Sequence, residues 1–413
     1  MKSFALPGVV VLFMCASAAC QRGSGGHSAD SVPTQSPQTV QSSSPSSASQ
    51  GDAVTWDWQL PAHCPPPPVP DDTPMTAALV ALGRHLFYDP RLSGDGTQSC
   101  ATCHIQQVAF SDPRPLSLGI TGERTRRNAM SLVNVAYARR LTWAHPALDS
   151  LERQALIPLF GDEPIEMGAA GFEQLVLDRL AAEPRYRELA IAAGPGQGTD
   201  LQGVLDWNLI VTAIATFERS LVSCNAPYDR YIAGDTHALS ADAVAGMELF
   251  FSERTECFHC HNGAMFSDST THEGAVPTDQ AFHNTGLYNL DGSGAYPPTD
   301  TGMMEFSENA TDMGRFRAPT LRNITLTAPY MHDGSIGSLE EVLEHYGAGG
   351  RLIAEGPNAG DGAGSPLKSE FVPGFLLTDE ESAQLLAFLA ALTDTSVSER
   401  AEWSDPWTER TLR

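Results

Sequence analysis

The chain has 413 residues and a formal net charge of −25, from 50 acidic and 25 basic side chains. That length is enough for two domains, each with its own core. The acidic excess argues against nucleic acid and against charge-driven binding to anionic lipid; it suits a basic or neutral protein partner, or simply a well-solvated surface.

Residues 1–19 read as an export signal, with Lys2 as the positive start and an apolar stretch from Val9 to Met14 too short to span a bilayer. Ser17-Ala18-Ala19-Cys20 fits a lipoprotein processing site, which would make Cys20 a lipidated N-terminus. The other reading is ordinary cleavage in the same region, releasing a soluble periplasmic protein. No other apolar run is long enough to cross a membrane, so membrane contact is expected only through an anchor at Cys20. Residues 20–55, rich in Ser, Gly, Gln and Pro, read as a flexible tether. The expected location is the periplasm or cell envelope.

The folded part is expected to start at Trp56. Cys64-Pro-Pro-Pro-Pro-Val-Pro70 is extended. Apolar spacing predicts helices over 76–88, 174–189 and 205–222, and Ser240 caps another that runs to Phe251. Ser338 with Glu341 and Thr378 with Glu381 read as capping boxes, opening helices that end at Gly347 and Leu392. Gly/Pro-rich loops fill 289–302 and 347–374, and few segments alternate as strands.

Two pentapeptides carry the chemistry: Cys100-Ala-Thr-Cys103-His104 and Cys257-Phe-His-Cys260-His261. Cys-x-x-Cys-His is the pattern of covalent haem c attachment, in which two thiols add across the vinyl groups and the adjacent His binds iron. Zinc would require four ligands per site, and no further Cys pairs exist. The surroundings repeat as well. Gly83-Arg-His-Leu-Phe87 precedes the first motif and Gly246-Met-Glu-Leu-Phe250 the second; Phe110-Ser-Asp112 follows the first and Phe266-Ser-Asp268 the second. A duplicated helix–haem–loop unit is the economical explanation. The predicted fold is mainly α, with two cytochrome c-like haem domains with long loops, at 56–236 and 237–395, and a tail at 396–413. Of the eight cysteines, Cys15 leaves with the signal, Cys20 is the lipid candidate and four hold haem. Cys64 and Cys224 remain, free to pair in an oxidising compartment, though nothing in the sequence brings them together.

On these motifs the chain resembles the bacterial di-haem cytochrome c peroxidase and MauG family. The run from Leu82 to Cys100 is similar to that family's entry into its first haem, and Arg317-Ala-Pro-Thr-Leu-Arg-Asn-Ile-Thr-Leu-Thr-Ala-Pro-Tyr-Met-His-Asp-Gly334 to its long motif after the second. Trp56-Asp-Trp58, Leu141-Thr-Trp143, Phe282-His-Asn-Thr-Gly-Leu-Tyr-Asn289 and Ser404-Asp-Pro-Trp407 resemble the MbnH-type subgroup, whose members are paired with a secreted copper-binding protein. The resemblance implies two haem c groups. It also implies hydrogen peroxide as oxidant and a partner-protein tryptophan as the group oxidised, with the oxidising equivalents spread over both irons.

The resemblance also assigns roles. His104 and His261 are proximal iron ligands. Tyr346 matches the second ligand of the second haem; the residues alone leave Met313, Met331 and His345 open as well. The loop Leu118–Thr125 lacks the His of peroxidases that need reductive activation, which leaves the first iron open; His85 or His145 reaching in is the competing reading. Glu166 matches the distal acid–base group, with two residues more between it and Pro158 than in MauG, and Gln154 and Pro158 match the other distal-pocket positions. Trp143 matches the relay between haems, although the family's Trp-Asp-Gly-Arg is here Trp143-Ala-His-Pro. Asn128, with the carbonyls of Thr327 and Pro329, matches a calcium site. Two rival functions remain: a peroxidase fed by a small electron-donor c-type cytochrome, and a non-enzymatic electron-transfer protein.

Overall fold

Two helix pairs organise the chain. In the computed structural model, which describes residues 56–194, 205–272 and 282–407, α1 (Ala77–Phe87) packs on α5 (Trp207–Ser220), and α7 (Ala241–Phe250) on α11 (Asp379–Ala391). Between the first pair lie α2 (Leu151–Phe160), α3 (Glu173–Ala181) and α4 (Pro184–Ala193). Between the second lie α8 (Cys257–Cys260), α9 (Met304–Ser307) and α10 (Leu339–Gly347), and α6 (Pro227–Ile232) bridges the two sets. Strand content among the described residues is two short antiparallel ladders: β1 (Phe282–His283) with β2 (Phe316–Arg317), and β3 (Leu352–Ile353) with β4 (Gly360–Asp361). No described helix is long and apolar enough to cross a membrane. The export signal, Cys20 and the tether lie outside the described residues.

Most predicted helices form within a residue or two of their expected ends, set by side-chain caps on Thr76, Ser240, Ser338 and Thr378. Two details differ. The predicted helix over 174–189 is two helices, because Pro184 cannot donate an N–H to continue α3 and instead starts α4, with Glu183 capping Arg185 N. The box at Ser338 is only half formed: Ser338 Oγ accepts from Glu341 N at 3.2 Å, but the Glu341 carboxylate accepts from Gly337 N at 2.8 Å, one residue early. The box at Thr378 is complete.

The duplication extends further than the sequence comparison showed. Gly83 and Gly246 occupy equivalent close approaches: a Cβ on Gly83 would lie 1.8 Å from Ala213 O of α5, and one on Gly246 1.9 Å from Gln384 O of α11. Only glycine admits backbones that near. Asn134 and Asn323, both in left-handed backbone, form a second pair. Asn134 Oδ1 accepts from Ser223 N at 2.8 Å just after α5, and Asn323 Oδ1 accepts from Asp394 N at 2.9 Å just after α11. Leu-x-Asn, at 132–134 and 321–323, was the available sequence signal.

Cys64 and Cys224 do meet, as a disulfide with Cα atoms 6.1 Å apart and a sequence separation of 160. Closing so long a loop restricts the unfolded chain strongly; the chain-entropy estimate is about 5 kcal/mol, and measured losses are usually smaller. Replacing both cysteines by Ser is therefore expected to lower unfolding free energy by roughly 2–5 kcal/mol, read from denaturant titration of the oxidised and variant proteins.

Candidate functional site

Both Cys-x-x-Cys-His segments are short helical turns with their thiols half-buried and unbonded to each other. Their histidines are held identically. His104 Nδ1 lies 2.9 Å from Phe110 O, and His261 Nδ1 lies 3.1 Å from Phe266 O. A carbonyl can only accept, so each Nδ1 carries the proton and each Nε2 keeps its lone pair for a metal. Burial lowers the pKa of both rings, which favours that neutral form. Phe110 (φ 58°) and Phe266 (φ 51°) both adopt the left-handed conformation that turns their carbonyls to the ring, at a cost of about 1–2 kcal/mol per residue. This is the physical content of the repeated Phe-Ser-Asp.

Beside the second motif lies a mostly apolar cavity of about 220 Å³. Cys257, Cys260, His261 and Tyr346 line it, as do Trp143, Asn128, Thr327 and Pro329. Tyr346 stands near the end of α10, and its hydroxyl has no hydrogen-bond partner among the described residues. Burial, reinforced by the Cys260 and Cys257 sulfurs, pushes the phenol well above its ordinary pKa. An apolar cavity with two thiols, an imidazole nitrogen and an orphaned phenol suits a flat apolar macrocycle carrying a cation, which would reverse that shift and bind the phenolate. Of the alternatives to Tyr346, Met331 also lines the cavity, Met313 packs against the cluster around Tyr296 and Phe316, and His345 packs beside Tyr346 with both ring nitrogens unpartnered.

Trp143 is tied on both sides. Its Nε1 donates to Asn128 O at 2.8 Å, and its carbonyl accepts from Arg317 N at 2.7 Å. Asn128 Nδ2 donates to Arg114 O and Pro115 O at 3.1 Å each, which leaves Oδ1 as its unengaged oxygen.

The first motif has a different neighbourhood. Glu166 is held between α2 and the loop Leu118–Thr125: Ile120 N donates to Glu166 O at 2.9 Å, and Met167 N to Pro158 O at 2.9 Å. Its carboxyl is largely buried, and desolvation raises its pKa. Its charge acts on both Cys100 and Cys103, which places it beside the motif. Gln154 and Pro158 lie one turn apart on the same face of α2. The two competing histidines are occupied elsewhere. His85 Nδ1 is 2.7 Å from Ala81 O, with the ring edge-on to Trp407, and the His145 ring packs on Phe306 at 4.4 Å.

One buried acid near the first motif was not anticipated from sequence. Glu218 of α5 is 5% exposed, its Oε2 has no partner, and it acts electrostatically on Cys100. Burial raises its pKa from 4.5 to about 8, against the pull of Arg219, which is itself bound to Glu152 at 2.8 Å. With the folded value above the unfolded one, its stabilising contribution is complete below pH about 4.5 and is lost as pH rises through about 8. Thermal midpoints of the holoprotein should fall across that window, and Glu218→Gln should flatten the fall.

A family model for di-haem cytochrome c peroxidase matches residues 77–237. The cytochrome-c peroxidase IdrP1 of Denitromonas iodatirespirans is 35% identical over 350 residues, covering 80% of this chain and 85% of that protein. The chain belongs to the di-haem cytochrome c peroxidase family. The methylamine utilization protein MauG of Methylorubrum extorquens is likewise 35% identical, over 79% of this chain and 81% of that protein. Among solved structures, a MauG-like protein associated with microbial copper homeostasis superposes with a TM-score of 0.82 at 47% identity, covering 86% of this chain and all of that one. As a member of this family the protein is a mainly helical di-haem c oxidoreductase, and its cofactors are two haem c groups.

Proposed function

We propose that this protein uses hydrogen peroxide to oxidise a tryptophan on a secreted, copper-binding partner protein. The observation that carries the reading is the inequality of the two sites. An unpartnered Tyr346 faces the cavity shared with His261 and Trp143, whereas a buried carboxyl, Glu166, stands beside the motif of His104. The relation to a MauG-like protein tied to copper homeostasis supports the choice of partner.

Residues 56–236 carry the peroxide-reactive site in this reading and residues 237–395 its electron-sharing neighbour. When bound, the haems would supply the redox chemistry. Cys100 and Cys103 attach one, Cys257 and Cys260 the other, with His104 and His261 as proximal ligands and Tyr346 as the second protein ligand at the latter. Glu166 takes the proton from one peroxide oxygen and returns it to the other as the O–O bond breaks. Gln154 and Pro158 shape that distal pocket. Trp143, fixed at its Nε1 and its carbonyl, relays electrons between the sites. Asn128 Oδ1 and the carbonyls of Thr327 and Pro329 would hold a calcium ion. Chelation is expected to loosen Trp143, whose indole hangs on Asn128 O, and to shift both Trp fluorescence and the melting temperature. Cys20 anchors the chain to the envelope by a lipid.

The test is peroxide treatment of the holoprotein with its co-encoded secreted protein, followed by mass mapping of tryptophans in both. Oxidation confined to the partner is the expected result; an unmodified partner overturns the reading. The relation to IdrP1 keeps a second reading in view, peroxide reduction with electrons from a small c-type cytochrome. That reading requires rapid oxidation of reduced cytochrome c. The proposed function predicts one high-spin and one low-spin ferric EPR signal, whereas a pure electron-transfer protein would give two low-spin signals.

A further inference from the structure

Two arginines line the cavity beside the second motif, and only one has a carboxylate partner. Arg322 is bound to Asp229 by two hydrogen bonds of 2.8 Å. Arg317 is 9% exposed, and among the described residues its guanidinium reaches only Thr142 O at 3.2 Å through Nε and Met130 Sδ at 2.7 Å through Nη2. A thioether is a weak acceptor. The acid that acts on Arg317 from a distance is Asp268, whose carboxylate already binds His283 at 2.6 Å. Desolvation is strong enough to push the Arg317 pKa down to about 10. A buried cation without an anion costs several kcal/mol, so the site calls for a negative group inside the cavity. The acid that lines the cavity, Glu256, is held by His259 at 2.7 Å, and Asp268 is not among the lining residues.

A haem brings two such groups. Its propionates lie on the edge of the macrocycle away from the vinyl carbons that the cysteines bond. We infer that Arg317 is the counter-cation for a propionate of the haem held at Cys257 and Cys260, and that it fixes this acid beside Trp143. The guanidinium fork matches a carboxylate bidentately, which a lysine cannot do. Because Arg317 N also donates to Trp143 O at 2.7 Å, one residue holds both the indole's backbone and the acid group next to it. Arg317 is thus a positioning residue for the relay. The inference rests on this cavity being the second haem's seat, as proposed above, and not on which partner is oxidised.

The test uses the holoprotein with Arg317→Gln and Arg317→Lys, read by the resonance Raman band of propionate bending and by spectroelectrochemical titration of the second haem. Losing the cation favours ferric over ferrous iron. Arg317→Gln should therefore shift the propionate band, move the midpoint potential to more negative values, and move its pH-dependent segment to higher pH. Arg317→Lys should restore most of the potential but not the band. An unchanged band and potential in Arg317→Gln, with both haems attached, overturn the inference. Should that variant not fold, a wild-type propionate band in Arg317→Lys overturns it instead. Failure of the haem seat is separable, because then Tyr346→Phe would leave the second haem's spectrum untouched as well.

Discussion

Glu166→Gln is expected to slow the reaction with peroxide by about 10²–10⁴-fold, the usual range for removing a positioned acid–base group. The substitution keeps shape and hydrogen bonding but cannot accept the peroxide proton. Both haems should remain attached, because Glu166 reaches the first motif only through space and its backbone bond from Ile120 N is unaffected. Stopped-flow spectra of the ferric protein mixed with peroxide give the rate. The raised pKa of Glu166 adds a pH signature. The wild-type rate should climb as the carboxyl loses its proton, at a pH above that of an exposed glutamate, and the Gln variant should lose that step. A variant with wild-type speed and pH profile would remove Glu166 from the mechanism.

Tyr346→Phe should leave peroxide consumption at the first haem nearly intact while lowering oxidation of the partner tryptophan by at least about 100-fold, some 3 kcal/mol in transition-state terms. Phenylalanine fills the same space in the cavity but offers no oxygen. The low-spin ferric EPR signal expected of the second haem should change spin state or g-values. Little destabilisation is expected, since among the described residues the phenol oxygen makes no hydrogen bond that the substitution could break. If partner oxidation and the low-spin signal both survive, Tyr346 is a packing residue and Met331, which lines the same cavity, becomes the ligand to test.

The helices and both motifs were legible because they depend on local patterns: caps at Thr76, Ser240 and Thr378, apolar spacing, and Cys-x-x-Cys-His. The split at Pro184 was also local, and it was missed because the apolar spacing on either side of that proline stays nearly in phase. Long-range facts were out of reach. Nothing near Cys64 or Cys224 shows that the chain folds to bring them together across a sequence separation of 160. Glu218 looks like any helix glutamate until α1 and α2 cover it. Family resemblance singled out Trp143, Asn128, Thr327 and Pro329, because single residues scattered along a chain carry no periodic signal, and only the fold shows that all four line one cavity.

The matching bonds from Phe110 O and Phe266 O have a further consequence. They would give both imidazoles similar electron-donating strength toward a bound iron, so neither site would be tuned from its histidine side. In the proposed function, what distinguishes reactor from reservoir is then left to the groups across from each histidine, Tyr346 in one case and Glu166 in the other. Descendants of the ancestral duplication could drift between tasks by altering a few far-side positions, with the tethered half kept as a shared chassis.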